Sequence, residues 1–250
     1  MRRAIMAGNW KMNKDPAEAA ELVKVLIPAV KDAPCDVVVC VPAVDFFAVH
    51  TAAEGTNIRL GAQNVHYEAS GAFTGELSAG MLKTCGVEYV IIGHSERRQY
   101  FGETDKTVNL RVRAAVGAGL KPILCVGEMK EERIGGYTDA LVEYQTLIAL
   151  NGLTAEQVQN VIIAYEPVWA IGTGLVASDG EANETIGVIR EAVRRKYGKG
   201  VSEAIRIQYG GSMNASNVKG LMAQPEIDGG LVGGASLKPE EFSAIVMYHQ

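Results

Sequence analysis

The sequence predicts an α/β fold: a closed, eight-stranded parallel (β/α)8 barrel, with residues 1–250 forming a single domain. Eight short apolar bursts recur along the chain, and helical stripes separate them. The 250 residues allow about 31 per strand-helix unit, enough for a strand with its crossover helix, and leave little room for a second domain. An open, doubly wound sheet is the competing architecture. It would need two edge strands, and neither the first nor the last burst carries the charges or prolines that guard an edge.

The bursts run Ala4 to Gly8, Val37 to Val41, Ile58 to Ala62, Tyr89 to Ile92, Pro122 to Val126, Val161 to Tyr165, Ile205 to Tyr209, and Leu231 with Val232. Several have the Val and Ile enrichment of parallel strands covered by helices. The last is short and flanked by glycine, so its assignment leans on the other seven. Between the bursts, Ala19, Leu22, Val23, Leu26, Ile27 and Val30 form one helical stripe behind Pro16, which suits an early helical position. Val108, Val112, Ala115 and Val116 form a second stripe. Ile186, Ile189, Val193 and Tyr197 form a third, ended by Gly198, and Phe242, Ile245, Val246 and His249 close the chain on a final helix.

An apolar content of 48% supports a sizeable core, and a formal charge of −5 argues against nucleic acid or an anionic membrane as partner. Arg2 and Arg3 precede an apolar patch that Asn9, Lys11, Asn13, Lys14 and Asp15 interrupt too early for a signal peptide, and no run reaches membrane-spanning length. Cys35, Cys40, Cys85 and Cys125 lack close-paired ligand spacing and read as buried free thiols in a reducing, cytoplasmic compartment. His50, His66, His94 and His249 assemble no zinc motif, so no metal is expected.

The longest connections, Asn64 to Ser78, Gly127 to Gly136 and Pro167 to Gly180, follow strands, which puts function on the C-terminal face of the barrel. Glu166 leaves a buried strand there and reads as a base under a glycine-bearing loop, Pro167 to Val176, or alternatively as a surface glutamate before a turn. Asn9 and Lys11, two apart on extended backbone, can share the barrel mouth while Trp10 packs away; Lys11 is either a charge for an anion or a solvated lysine.

His94 follows Gly93 where a short helix can start with Ser95 as cap. A helix N-terminus disfavours the imidazolium, so His94 reads as a neutral hydrogen-bond donor or as a structural histidine. Glu96, Arg97 and Arg98 suit an ion-pair network around it or a plain charged turn. Glycine clusters at Gly210-Gly211-Ser212 and Gly233-Gly234 follow the last two strands, where backbone N–H groups of such barrels hold a phosphate, and Gly172 brings a third loop to the same anion.

A single carboxylate base, a histidine, a lysine and a phosphate cradle, with no GxGxxG fingerprint or serine elbow, leave proton abstraction beside a carbonyl, an aldose-ketose isomerisation without cofactor. The lid would exclude water from the fragile enediolate and make Glu166 a stronger base by withdrawing it from water. A non-catalytic phosphate-binding barrel and another phosphosugar isomerase or epimerase remain alternatives. A Schiff-base aldolase does not fit, because Lys121 begins its strand at the wrong end of the barrel.

Over essentially its whole length the chain resembles the triosephosphate isomerase family. The resemblance lies in Ala7-Gly8-Asn9-Trp10-Lys11, Gly61-Ala62-Gln63-Asn64, Gly71-Ala72-Phe73-Thr74-Gly75-Glu76, Ile92-Gly93-His94-Ser95-Glu96-Arg97-Arg98 and Cys125-Val126-Gly127-Glu128. It continues through Tyr165-Glu166-Pro167-Val168-Trp169, Tyr209-Gly210-Gly211-Ser212 and Leu231-Val232-Gly233-Gly234-Ala235-Ser236. That family is itself a standard example of a carboxylate base, a neutral histidine and a closing loop on a TIM barrel, so these roles come with the resemblance.

The resemblance implies Glu166 as base, His94 as neutral electrophile, Lys11 as electrostatic stabiliser, Asn9 as a partner of substrate oxygens and Glu96 as the acid behind Lys11. It implies Gly172, Ser212, Gly233 and Gly234 as phosphate ligands and Gln63 as support for Asn9 and Lys11. The implied substrates are dihydroxyacetone phosphate and glyceraldehyde 3-phosphate. It further implies a homodimer in which the loop from Asn64 to Glu76 places Thr74 at the neighbouring site, with Phe73 anchoring and Gly75 turning its tip; from residues alone, a self-packed surface loop is equally open.

One departure from the family pattern is Leu175-Val176-Ala177, where many relatives have Lys-Thr-Ala. Val176 is stiff in χ1 for a hinge. Replacing Leu175→Lys together with Val176→Thr is expected to change the opening and closing rates of the lid, read by relaxation dispersion, while the chemistry stays intact. Unchanged exchange rates and turnover would refute this.

Overall fold

The computed structural model describes residues 2–170 and 177–249. Among them eight parallel strands close into a barrel in chain order: β1 (Ile5–Asn9), β2 (Asp36–Cys40), β3 (Ile58–Ala62), β4 (Tyr89–Ile92), β5 (Lys121–Val126), β6 (Ile162–Tyr165), β7 (Arg206–Tyr209) and β8 (Gly229–Val232). Ile5 of β1 lies opposite Asp36 of β2 on one side and Gly229 of β8 on the other, so no strand edge is left open. The closed barrel therefore prevails over the open sheet.

Period-two alternation sorts each strand into two layers. Ile5 and Ala7, Val38 and Cys40, Tyr89 and Ile91, Ile123 and Cys125, Ile162 and Ala164, with Leu231, form the packed barrel interior. Their neighbours, such as Met6, Val37, Val39, Leu124, Val126 and Ile163, join the larger layer beneath the helices. Two of these inward series end on polar residues at the barrel mouth: Ile5, Ala7, Asn9 and Ile162, Ala164, Glu166.

Observed strand limits agree with the sequence to within a residue except at β8, which begins at Gly229 rather than Leu231. Glycine carries no apolar signal, yet Gly230 belongs to the strand because the Met213 sulfur already fills the space a Cβ would take. The first helical stripe becomes the helix Pro16–Val30, whose start Asp15 and Glu18 fix as a capping box, and the second becomes the helix Asp105–Gly117. The third becomes the helix Asp179–Tyr197, so the connection expected to run to Gly180 ends earlier, at the Ser178 cap. The span Gly127 to Gly136 contains the helix Lys130–Ile134.

The closing helix Pro239–Val246 does not include His249. The chain leaves helical geometry at Met247, and the His249 ring, exposed, lies against Tyr248 at 3.8 Å. Among the described residues no helix is long and apolar enough to cross a membrane. Cys35, Cys40 and Cys125 are buried free thiols as expected, whereas Cys85 is exposed at the end of the helix Ala79–Thr84.

At the opposite end from the barrel mouth, Arg190 closes the lower rim. Its guanidinium donates to Asp228 Oδ2 and to the carbonyls of Ser202, Ile205 and Glu226, and Asp228 also accepts the Ile207 N–H. Asp228 keeps Arg2 as a second cation, so removing Arg190 weakens the pairing of the buried carboxylate and takes a donor from three carbonyls, a loss of about 2 kcal/mol. Arg190→Met is therefore expected to lower the urea midpoint correspondingly, with an unchanged denaturant slope, when unfolding is followed by circular dichroism.

Candidate active site

A cavity of about 390 Å³ opens at the C-terminal ends of the strands and is lined by Asn9, Lys11, His94, Glu166, Ser212, Gly233 and Gly234 among others. Residues spread over 226 positions of the chain thus converge, because in a parallel barrel every strand delivers its C-terminal end to one face. Gly172 and the Leu175-Val176 hinge lie outside the described residues.

Glu166 is 2% exposed, which rules out the surface-glutamate reading. Its Oε1 lies 2.9 Å from His94 Nε2, and its Oε2 accepts the Ser95 N–H at 2.9 Å. Burial pushes this carboxyl upward, but His94, the Ser95 amide and Lys11 together outweigh it and hold Glu166 below its ordinary value. The expected gain in basicity on leaving water therefore holds for the burial contribution alone. In this arrangement the carboxylate is stabilised by donors.

His94 is delivered by a turn at Gly93, whose φ of 73° is accessible to glycine at little cost. His94 itself, rather than Ser95, is the cap of the helix Ser95–Phe101: its Nδ1 accepts the Glu96 N–H at 3.2 Å. Ser95 enters as the first helical residue, which frees its N–H to bind Glu166. Because Nδ1 faces a donor, the proton of the neutral ring sits on Nε2, aimed at Glu166. Burial opposes the charged ring, while Glu166 and Glu96 favour it and prevail, so His94 is raised above its ordinary value. The helix-end argument for a depressed value omitted this neighbouring carboxylate.

The mixed charges after His94 form the expected network. Arg98 donates to the Gly93 carbonyl at 2.8 Å and to the Cys125 carbonyl at 3.3 Å, and pairs with Asp105 at 2.7 Å, which braces the exits of β4 and β5. Glu103 accepts the Gly93 N–H and pairs with Arg97.

Lys11 and Asn9 do meet at the mouth, although strand alternation is not the reason. Lys11 has φ 53°, left-handed and uncommon for a residue with a side chain, and its N–H donates to Asn9 Oδ1 at 3.0 Å. The Lys11 Nζ lies 2.6 Å from Glu96 Oε1, and Gln63 Nε2 donates to the Lys11 and Cys40 carbonyls. Trp10 packs into the core, fully buried. Gly233 stands beside Lys11, since a Cβ there would lie 3.7 Å from Lys11 Cε. The lysine thereby borders the glycine wall of the cavity.

Among the described site residues, Glu96 and Gln63 stand behind the cavity, bonded to Lys11, and Thr74 lies away from it. Thr74 is exposed at the tip of the loop from Asn64 to Glu76, whose ends are clamped by Asn64 Nδ2 donating to Glu76 Oε2 at 3.0 Å. Phe73 anchors the tip against the His66 ring at 4.2 Å. Glu128, fully buried, carries no sequence signal beyond its place at a strand exit, yet its Oε1 accepts Tyr165 Oη–H at 3.0 Å and Trp169 Nε1–H at 2.8 Å, on either side of Glu166. Burial raises its carboxyl above the ordinary value. No cluster of His, Cys, Asp and Glu among the described residues has the arrangement of a metal site.

With this geometry in place, comparison with known proteins is specific. The family model described as Triosephosphate isomerase matches residues 4–249. A triosephosphate isomerase from Acetivibrio thermocellus is 59% identical over 249 residues, spanning 100% of this chain and 99% of its own length. One from Clostridium botulinum (strain ATCC 19397 / Type A) is 58% identical over 248 residues, spanning 99% and 100%. A third, from Carboxydothermus hydrogenoformans, is 56% identical over 247 residues, spanning 98% of each. By matches that run the full length of the chain, through every strand exit that lines the cavity, this protein belongs to the triosephosphate isomerase family.

Proposed function

We propose that residues 1–250 act as a single-domain, cofactor-free isomerase that interconverts dihydroxyacetone phosphate and D-glyceraldehyde 3-phosphate, the triose step shared by glycolysis and gluconeogenesis, in the cytoplasm. The observation that carries this reading is the Glu166–His94 pair, 2.9 Å apart in a cavity also lined by Gly210, Gly211, Gly233 and Gly234. One group is a buried carboxylate; the other presents Nε2–H. A carbonyl compound seated between them has its acidic C–H facing the base and its oxygen facing the donor.

The chemistry then follows from these atoms. Glu166 removes the proton from the carbon beside the carbonyl, the C–H electron pair becomes the enediolate double bond, and the carbonyl π pair moves onto oxygen. His94 Nε2–H and the Lys11 ammonium stabilise that oxygen, with Asn9 as a further partner and Glu96 orienting Lys11. His94 Nε2 passes its proton to that oxygen and takes one from the neighbouring hydroxyl, whose oxygen becomes the new carbonyl as the C=C electron pair collects the proton that the carboxylic acid of Glu166 returns to the adjacent carbon. Ser212, Gly233, Gly234 and Gly172 hold the phosphate, and Gln63 keeps Lys11 in its left-handed turn.

A homodimer completes this reading. A second opening of about 260 Å³ shares Asn9, Lys11 and His94 with the cavity and is bordered by Met12, Gln63, Arg97 and Phe101. Met12 is 94% exposed and Phe101 67%, apolar surface that a partner's loop from Asn64 to Glu76, led by Thr74, would cover.

Two measurements test the proposal. In a coupled assay of glyceraldehyde 3-phosphate conversion, Glu166→Asp, which withdraws the carboxylate by one methylene, is expected to lose about 100-fold or more in turnover with a smaller change in KM. Equal turnover in the two proteins would defeat the assignment of the base. By sedimentation the wild type is expected to be a dimer, and Thr74→Arg to shift it toward monomer with loss of turnover; a monomer of full activity would refute the part given to Thr74.

A further inference from the structure

Glu166 rests on the neighbouring strand exit as much as on its own. Its N–H donates to the Val126 carbonyl at 2.8 Å, and a Cβ at Gly127 would collide with the Glu166 carbonyl oxygen, so the backbone of the base lies flat on Gly127. The Val168 N–H donates to the Glu128 carbonyl at 3.1 Å, and the Glu128 carboxylate holds Tyr165 and Trp169. The segment 126–128 is thus the seat of the base.

That seat lies beyond the β5–β6 ladder, which ends with Val126 opposite Tyr165. Its anchor is a side chain: Gln145 Oε1 accepts the Gly127 N–H at 2.8 Å. Gln145 is 8% exposed on the helix Thr138–Ala149, one turn from Val142 and Ala149, where packing alone calls for an apolar residue. Burying an amide there is costly unless it is hydrogen-bonded, and the Gly127 N–H supplies the bond.

We propose that Gln145 is a positioning residue for the isomerase reaction, acting through Gly127 to fix the height of Glu166 above the barrel. The inference rests on the isomerase reading above. It touches neither substrate nor carboxylate; a shift of the seat displaces the base relative to the substrate carbon, and proton abstraction is sensitive to displacements below an ångström.

The test compares wild type, Gln145→Met, which keeps length and loses the acceptor, and Gln145→Glu, which keeps an acceptor oxygen. For Gln145→Met, kcat is expected to fall about tenfold to a hundredfold while KM stays within about twofold. The deuterium effect with carbon-deuterated dihydroxyacetone phosphate should rise, because removal of the proton becomes a larger share of the rate. Gln145→Glu should recover most of kcat. If Gln145→Met fails to fold by circular dichroism, Gln145→Asn, whose amide is one methylene short, gives the same readings. A folded acceptor-deficient variant with wild-type kcat and isotope effect overturns the inference, as does equal loss in Gln145→Glu. Wild type without turnover would overturn the isomerase reading itself, whereas an active wild type beside an unaltered variant overturns only the role of Gln145.

Discussion

Keeping a buried carboxylate ionised is the constraint on which the rest of the site depends. Glu166 is almost wholly withdrawn from water, and an isolated charge there would simply take up a proton. Its two oxygens instead meet His94 Nε2 and the Ser95 N–H, both at the start of one short helix. These donors belong to the exit of β4, while Glu166 belongs to the exit of β6, so the pair exists only because β5 spaces the two strands at a fixed separation. Arg98, bonded to the carbonyls of Gly93 and Cys125, ties two of those three exits together.

The same helix start performs a second task. By accepting the Glu96 N–H, His94 Nδ1 is committed as an acceptor, and the donor of the neutral ring is directed into the cavity. The ring and the carboxylate then bias each other: the histidine is drawn upward and the glutamate downward.

An acidic chain with a phosphorylated substrate has to solve its electrostatics locally. Here Lys11 is paired with Glu96 and stands beside the glycine wall, so its charge is positioned without being left unbalanced. Ser212, Gly233 and Gly234 line the same cavity, and backbone N–H groups carry partial charges that pH does not change. Such a site admits an anion while the protein as a whole stays negatively charged.

Apolar periodicity and strand-end position, both local properties of the chain, carry the eight strands, four of the helices and most of the groups that line the cavity, but not the helix Thr138–Ala149. The remaining features required the tertiary structure. The left-handed Lys11 and the capping by His94 depend on backbone angles that no periodicity encodes. The extension of β8 through Gly229 and Gly230 depends on what the Ile5 backbone and the Met213 sulfur already occupy. The seat formed by Gly127, Glu128 and Gln145 joins a strand exit to a helix, and the direction of the pKa shifts on His94 and Glu166 follows from a 2.9 Å approach between groups 72 residues apart. Local pattern says which residues face inward; only the closed barrel sets which of them touch, and distance decides their charge.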